Sequence, residues 1–362
     1  MKQPWYVVGG GIVGLLSARE LRASGESVVI IDRQTVGQES SWAGGGILSP
    51  LYPWRYPAPV TALAQWSQDY YPVLARELAE KTGIDVEWTP SGMLYVESGE
   101  AAQAMAWAKV HGAALSDVDA ISASRISPGI RPGVGQGIWM PDVAQIRNPR
   151  LLSAISADLR QSGVEFRENV EVQGFTIQQN RLASIRTNRG EIETHRCLVT
   201  AGAWSGDLLA TTGLVLPITP VKGQMLLLST QSLRIKTMIL KDNRYIIPRR
   251  DDRVLVGSTL ELSGYEKSIT EAARVDLMQA AVDMVPALAE CRIERQWAGL
   301  RPGTPSSVPY IGEHPQVEGL FVCSGHFRNG IVLAPASARL AVDIMLRRAS
   351  LFEKEQFLLP LS

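Results

Sequence analysis

Cysteine and histidine are scarce in this chain of 362 residues, which has three of the first and four of the second. Cys197, Cys291 and Cys323 are too few and too far apart for a disulfide framework or a zinc site, and no CxxC or HExxH pattern occurs. We therefore expect no metal site. We also expect a cytoplasmic protein, because sparse use of cysteine is typical of a reducing compartment.

The sequence also lacks an excess of either charge and a long hydrophobic run. Lysine plus arginine and aspartate plus glutamate both number 36, so the formal net charge is zero. A balanced surface has no long-range field to hold a polyanion, so we expect no nucleic-acid partner.

No run reaches the roughly 18 apolar residues of a membrane span. The segment MKQPWYVVGGGIVGLLSA resembles a short secretory signal, but we interpret it as part of the fold because a helix and a strand continue from it.

The first 32 residues have the pattern of a nucleotide-binding βαβ unit. The apolar strand WYVVGG precedes the amphipathic helix GIVGLLSAREL, and the buried strand SVVIID ends on Asp32. Gly9 permits a tight turn, Gly11 lets a pyrophosphate approach the backbone, and Gly14 lets the helix pack closely on the strand. An acid at position 32 accepts ribose hydroxyls and disfavours a 2′-phosphate. The pattern does not distinguish NAD from FAD, and a glycine turn without a ligand is the alternative.

The rest of the chain indicates an α/β fold, α+β overall, in which a Rossmann-like domain is discontinuous and a second domain is mainly antiparallel. Helical periodicity occurs at residues 60–81, 100–111 and 268–285, and in the segments NPRLLSAISADLRQSG and ASARLAVDIMLRR. Longer alternating strands occur between residues 215 and 260. We predict a nucleotide domain of residues 1–84, 140–214 and 297–362, and a second domain of residues 85–139 and 215–296.

Two windows are ambiguous when taken alone. Gly44–Gly46 in SSWAGGGILSP suit either a close approach of backbone to a ligand or a flexible loop. Arg301 lies in WAGLRPGTPSSVPYIG, where its permanently charged guanidinium has no local anion. It is either a ligand-binding residue or the arginine of a structural ion pair or domain boundary.

Several windows together resemble the FAD-dependent amine and D-amino-acid oxidase family. They are VVGGGIVG with VVIID, SSWAGGGILSP, LVTAGAWSGDLL, and the pair AGLRPGTPSSVPYIG and CSGHFRNGIVLAP. The resemblance spans nearly the whole chain and is strongest to the glycine-oxidising branch that serves thiazole synthesis in bacterial thiamine biosynthesis. It implies FAD, bound extended across the Rossmann-like FAD-binding domain, with the second domain binding substrate.

Related sarcosine oxidases attach flavin through a cysteine near the arginine window. None lies between Cys291 and Cys323 here, so we expect non-covalent FAD.

The resemblance also implies the site residues. Arg301 would bind the substrate carboxylate together with Tyr245, for which a core aromatic is the alternative, and Arg328 would be a second arginine at the site. No residue is assigned as the base that deprotonates the amine. The implied cofactor-binding residues are Gly9, Gly11, Ile12, Val13, Gly14, Asp32, Arg33, Ser40, Ser41, Gly44, Gly45, Gly46, Ile47, Leu48, Val172, Thr200, Gly202, His326, Phe327, Arg328, Asn329, Gly330, Ile331 and Val332.

The activity implied by the resemblance is oxidative deamination of glycine, and also of sarcosine and small D-amino acids, by hydride transfer to FAD. Dioxygen would accept the electrons, and the products would be imine or glyoxylate, ammonia and hydrogen peroxide. The imine would pass to a thiazole synthase, and the chain would form a homo-oligomer, a tetramer by family likeness. Leu48 and the LYPWRYP loop are candidates for crowding the α-carbon. Alternatives are a D-amino-acid or sarcosine oxidase, a dehydrogenase that reduces a quinone, and a non-catalytic FAD-binding subunit of a larger complex.

The absence of a cysteine in the arginine window leads to a first testable prediction. Acid precipitation of the purified yellow protein should release all of its flavin into the supernatant, because no thiol is placed to hold it covalently. Absorbance of the supernatant and of the redissolved pellet measures the two fractions. Flavin that stays with the denatured polypeptide would contradict non-covalent binding, and a bound nicotinamide would contradict FAD itself.

Overall fold

The computed structural model describes residues 3–97, 99–133, 135–230 and 233–360, so the predicted domain limits at residues 1 and 362 lie outside the described residues. Helices are described at α1 (Ile12–Ala23), α2 (Ser40–Ala43), α3 (Ala58–Thr82), α4 (Ala101–His111), α5 (Ala120–Ile126), α6 (Asn148–Gln161), α7 (Ser205–Ala210), α8 (Glu271–Met284) and α9 (Gly330–Met345). Strands are described at β1 (Trp5–Val8), β2 (Val28–Ile31), β3 (Thr89–Pro90), β4 (Met93–Val96), β5 (Ser116–Val118), β6 (Gly137–Met140), β7 (Ala144–Gln145), β8 (Glu165–Arg167), β9 (Val172–Gln178), β10 (Arg181–Thr187), β11 (Gly190–Glu193), β12 (Cys197–Val199), β13 (Thr219–Ser229), β14 (Met238–Lys241), β15 (Arg244–Pro248), β16 (Arg253–Gly257), β17 (Arg292–Gly303), β18 (Tyr310–Glu313) and β19 (Leu320–Ser324).

A six-stranded sheet has the strand order β18-β19-β12-β1-β2-β8. β1 pairs in parallel with β2 and β12, while β18 runs antiparallel to β19. Side chains of β1 alternate across the sheet: Trp5 and Val7 belong to one hydrophobic cluster, and Tyr6 and Val8 belong to another. Both faces of the sheet are therefore buried, as is usual for parallel strands.

Helices cover one face of this sheet, and a small sheet covers the other. α1, α3, α6 and α9 contribute side chains such as Leu15, Leu63 and Leu340 to the cluster that holds Trp5. The antiparallel sheet of β9, β10 and β11 contributes Phe175 to the opposite cluster. Covered faces leave the carboxyl ends of the parallel strands as the place for a ligand.

A second, eight-stranded sheet has the order β17-β13-β16-β15-β14-β4-β6-β5. Adjacent strands in this sheet pair antiparallel, except that β14 and β4 are parallel to each other. The predicted fold class, α/β with a mainly antiparallel second part, is confirmed. The division into two domains stays a prediction. One of its limits, between residues 296 and 297, falls inside the continuous strand β17.

Residues 190–199 are divided between two sheets. Their first part, β11, pairs with β10 in the small sheet, and their last part, β12, pairs with β1 in the six-stranded sheet. The chain turns between them because the Thr194 hydroxyl accepts a hydrogen bond from the backbone N–H of Arg196 at 3.2 Å. Such a local side-chain bond competes with continuation of a strand.

α3 has 25 residues and exceeds the roughly 20 residues that span a bilayer. Charged side chains such as Asp69, Arg76 and Glu77 interrupt its apolar residues. Within the described ranges, no helix combines the length and the apolar character needed to cross a membrane.

Arg249, just after β15, joins the eight-stranded sheet to β7 and to the loop that contains Gly45. Its guanidinium donates to Gln145 Oε1 at 2.8 Å, to the Ile146 carbonyl at 3.1 Å and to the Gly45 carbonyl at 2.7 Å. Burial lowers the pKa of Arg249 to about 10, so the group stays charged at neutral pH. The contact places the loop that contains Gly45 beside the strand that contains Tyr245.

Candidate active site

A cavity of about 410 Å³ opens at the carboxyl ends of β1 and β2 and extends to β13, β15 and β17 of the eight-stranded sheet. Most of the predicted site residues line it. Those that do are Gly9, Gly11, Ile12, Val13, Asp32, Arg33, Ser40, Ser41, Gly44, Gly45, Gly46, Ile47, Val172, Thr200, Gly202, Tyr245, Arg301, His326, Phe327, Arg328, Gly330 and Ile331.

The remaining predicted residues lie behind the cavity wall. Gly14 faces the βα turn, and Leu48 and Val332 are each 1% exposed within the hydrophobic core. Asn329 is also buried, at 2% exposure. Leu48 therefore does not crowd the cavity, whereas Leu51, three residues later in the LYPWRYP loop, lines it.

The glycines of the first turn permit close backbone packing. A Cβ atom on Gly14 would lie 1.9 Å from the Gly9 carbonyl oxygen, and one on Gly9 would lie 2.6 Å from the Thr200 carbonyl oxygen. Gly9 also has a φ of +106°, which side chains disfavour. Gly11 caps α1 without a side-chain bond, so the positive end of the helix dipole faces the cavity beside bare backbone. Such a helix end stabilises a phosphate.

Asp32 lines the cavity next to this turn. Its carboxylate accepts hydrogen bonds from the backbone N–H of Gly10 at 2.7 Å and of Gln34 at 2.8 Å. Burial raises the pKa of Asp32, and these two bonds oppose that shift. Since each carboxylate oxygen can accept a second bond, the group can still bind ribose hydroxyls.

The Gly44–Gly46 loop is held by hydrogen bonds. Asn148 Nδ2 donates to the carbonyls of Ser41 at 2.9 Å and Gly44 at 3.0 Å, and Arg249 holds Gly45. A Cβ on Gly46 would lie 2.0 Å from the Ile146 carbonyl oxygen. The three glycines therefore bring the backbone close to neighbouring protein atoms, and the same backbone lines the cavity.

Arg301 and Tyr245 lie at the other end of the cavity. Arg301 Nη2 donates to Ser258 Oγ at 2.7 Å and Nη1 donates to the Thr259 carbonyl at 3.2 Å. The Tyr245 hydroxyl lies 3.4 Å from Met225 Sδ. A Cβ on Gly223 would lie 2.1 Å from Arg301 Nη2, so this glycine makes room for the guanidinium.

The charge of Arg301 has no carboxylate partner among the ion pairs of the described residues. Loss of surrounding water lowers the pKa of Arg301, and the nearby charges of Arg328 and Arg244 act in the same direction. Arg328 itself donates to Asn243 Oδ1 at 3.3 Å. Arg244 is paired with Asp276 at 2.8 Å and does not line the cavity, so Arg301 and Arg328 are the two arginines at this end that can attract an anion.

His326 lies in the cavity wall near these arginines. Its side chain is 2% exposed and its Nε2 has no hydrogen-bond partner within the described part of the chain. Burial lowers the pKa of His326 to about 4, so the ring is neutral at physiological pH.

The three cysteines differ in their position relative to the cavity. Cys323 lines the cavity, but its thiol is buried and lies 3.7 Å from the Ser337 carbonyl oxygen. Burial raises the pKa of the Cys323 thiol, which keeps it protonated and unreactive. Cys197 and Cys291 do not line the cavity. In the described residues, no group of histidine, cysteine, aspartate and glutamate side chains is arranged to hold a metal ion.

The cavity wall also includes residues that were not predicted as site residues, namely Glu39, Trp204, Asp207, Gly223, Met225, Ser258 and Gly299. A usable signal existed for Gly223 and Gly299, because glycine inside a strand often marks a close approach. Trp204 and Asp207 belong to the window LVTAGAWSGDLL, which carries part of the family resemblance. Ser258 had no signal, since it meets the site only through the fold.

Comparisons with known proteins agree with this architecture. A family model described as DAO, FAD dependent oxidoreductase, matches residues 5–344. Glycine oxidase from Pseudomonas aeruginosa is 45% identical over 354 residues, which are 98% of this chain and 97% of that protein. Bifunctional protein ThiO/ThiG from Trichormus variabilis is 31% identical over 97% of this chain, which matches 54% of that longer protein. The crystal structure of glycine oxidase from Geobacillus kaustophilus superposes with a TM-score of 0.93 at 27% identity, covering 99% of this chain and 98% of that one.

The cavity also fits FAD on physical grounds. It is continuous from Asp32 and the glycine turn to Arg301, and bare backbone at Gly9 and Gly11 faces its interior beside the α1 dipole. An extended dinucleotide needs such an acid for its ribose and such a turn for its pyrophosphate. The chain therefore belongs to the FAD dependent oxidoreductase family, where it groups with the glycine oxidases as an FAD-dependent amino-acid oxidase.

Proposed function

We propose that this enzyme oxidises glycine to its imine, with dioxygen as the electron acceptor and hydrogen peroxide as a product. The observation that carries the proposal is the Arg301 guanidinium, which faces the cavity and has no carboxylate partner among the residues that the structure describes. Curated relatives that match the chain along almost its whole length are named glycine oxidase, which supports this choice of substrate.

Arg301 binds the substrate carboxylate in this proposal. Ser258 and the Thr259 carbonyl hold its guanidinium from one side, at 2.7 and 3.2 Å, which leaves other N–H groups of the fork for the ligand. Tyr245 supplies a hydroxyl on the same wall, and Arg328 adds a second positive charge. Anchoring the carboxylate orients the α-carbon, and such positioning provides much of the catalysis in a cofactor enzyme.

Bound FAD supplies the hydride-accepting chemistry. Among the cavity-lining residues, Asp32 would hold the ribose of FAD, and Gly9 and Gly11 would hold its pyrophosphate. The released imine hydrolyses to glyoxylate and ammonia when no partner takes it.

A partner for the imine is a further part of the proposal. The relative named ThiO/ThiG joins two functions in one chain, and this chain matches about half of it. We therefore propose that the imine passes to a separate thiazole synthase. Cytoplasmic location and a tetrameric assembly stay predictions, and light scattering on the purified protein measures the second.

Replacing Arg301 tests the carboxylate site. Arg301→Ala removes the counter-charge, which we expect to cost about 2–5 kcal/mol of ligand binding. This loss corresponds to a KM for glycine and a Ki for glycolate that are roughly 30- to 5000-fold higher. Arg301→Lys should also weaken both constants, because it keeps the charge but loses the planar fork. Steady-state kinetics with glycolate as competitive inhibitor measures both constants, and flavin content should stay near that of the wild type.

Arg295→Ala is the matched control, because Arg295 is on the same strand and its exposed guanidinium lies 4.8 Å over the Trp42 ring. It should leave both constants unchanged. If Arg301→Ala binds glycolate normally, Arg301 is a structural arginine. If Arg301→Ala folds but loses FAD, the carboxylate role passes to Arg328.

A substrate panel tests the choice of glycine. Ile47, Leu51, Met225 and Tyr245 line the cavity and limit the space for a side chain on the substrate. Glycine and sarcosine should turn over, small D-amino acids should react more slowly, and L-amino acids should not react. A peroxide assay measures each rate. Equal rates on large D-amino acids would identify a D-amino-acid oxidase instead, and reduction of a quinone without peroxide would identify a dehydrogenase.

Asp32→Ala tests the cofactor end independently of the substrate. Loss of a charge-assisted hydrogen bond costs about 1.5–3 kcal/mol, so the FAD dissociation constant should rise by roughly ten- to a hundredfold. Titration of the apoprotein with FAD, followed by flavin fluorescence, measures this. Asp85→Ala, which removes an exposed partner of Arg250, is the control. Unchanged affinity in Asp32→Ala would rule out the ribose role.

A further inference from the structure

Residues 258–270, which we call the strap, connect β16 to α8 and cross from the eight-stranded sheet to the cofactor end of the cavity. The first part of the strap is fixed to β13. Lys222 Nζ lies 2.9 Å from Glu261 Oε2, and Gln224 Nε2 donates to Glu261 Oε1 at 3.0 Å. Lys222 and Glu261 also form a β-bridge through their backbones. The strap is thus anchored before it reaches the opposite side of the cavity.

Tyr265 makes the first contact of the strap with that side. Its hydroxyl donates to Asp207 Oδ2 at 2.7 Å and lies 3.2 Å from the Ala203 carbonyl oxygen. Its ring stacks on Trp204, with centroids 5.6 Å apart and planes at 20°. Burial and the Asp207 carboxylate raise the pKa of Tyr265 to about 12, so the hydroxyl keeps its proton at neutral pH.

Lys267 makes the second contact. Its Nζ lies 3.0 Å from Glu39 Oε2, and Glu39 is also paired with Arg33 at 3.0 Å. The Arg33 guanidinium lies 3.7 Å from the centroid of the Trp204 ring. The two contacts therefore converge on one set of side chains.

The partners of the strap line the cofactor cavity. Arg33, Glu39, Trp204 and Asp207 all lie in its wall, at the end that also contains Asp32. Neither Tyr265 nor Lys267 lines the cavity itself. They lie outside a wall that surrounds the place of the adenosine ribose, and they hold that wall to the second sheet.

We propose that Tyr265 and Lys267 form a clasp that closes the cofactor site and slows the release of FAD. Departure of the cofactor requires the wall of Arg33, Trp204 and Asp207 to move away from the strap, which breaks both contacts. The clasp depends on FAD as the cofactor and does not depend on which amine is oxidised.

The test measures release of FAD from the holoenzyme after dilution, followed by the rise in free flavin fluorescence. Tyr265→Ala removes the hydroxyl and the stacked ring, and release should become about tenfold faster. Tyr265→Phe keeps the ring and loses the bond to Asp207, and it should give an intermediate rate. Lys267→Gln removes an exposed ion pair, and it should accelerate release by about threefold.

Lys241→Gln is the control, because Lys241 forms a comparable half-exposed pair with Glu97, at 2.5 Å, and both of these residues lie outside the cavity wall. Added salt provides a second measurement. Raising KCl from 0.05 to about 0.5 M should speed release from the wild type more than from Lys267→Gln, since salt screens an exposed pair. The clasp is excluded if Tyr265→Ala and Lys267→Gln release FAD at the wild-type rate, or if Lys241→Gln accelerates release as much as they do.

Discussion

The Arg301 end of the cavity depends on one close approach, that of the Arg301 guanidinium to the backbone of Gly223. These residues are on paired strands, and a Cβ atom at position 223 would lie 2.1 Å from Nη2. Because position 223 is glycine, the Arg301 guanidinium can pass over the backbone of β13 and donate hydrogen bonds to Ser258 and Thr259, the first residues of the strap. The same strap continues to the cofactor end, where Tyr265 contacts Trp204 and Asp207. Because Gly223 has no side chain, Arg301 can contact the start of the strap, and the strap in turn connects the two ends of the cavity.

Features encoded within a short segment were predictable. The unit from β1 through α1 to β2 was recognisable because its apolar periodicity, its glycine turn and Asp32 all lie within 32 residues. The helices α3, α4, α6 and α8 begin and end within three residues of their predicted limits for the same reason. The family resemblance then located most of the cavity wall, since its motifs are the segments that line it.

Features that depend on distant contacts were not predictable. The sequence left Arg301 undecided because its partners, Ser258 and Thr259, lie more than 40 residues away. Leu48 and Leu51 belong to one loop, and only the fold shows that the first is in the core while the second lines the cavity. The division of β11 from β12 likewise depends on which sheet each strand joins.

The strands of the two large sheets alternate along the chain, and this limits how one sheet could be exchanged by recombination or by engineering. The six-stranded sheet takes strands from residues 5–31, 165–199 and 310–324, whereas the eight-stranded sheet takes them from residues 93–140 and 219–303. No contiguous fragment contains one sheet complete and leaves the other intact. The match to the ThiO/ThiG relative takes in 97% of this chain and 54% of that longer protein, so it includes the segments of both sheets together. Exchange of one sheet for that of another protein would need several simultaneous crossovers, because the strands of neither sheet are contiguous in the chain.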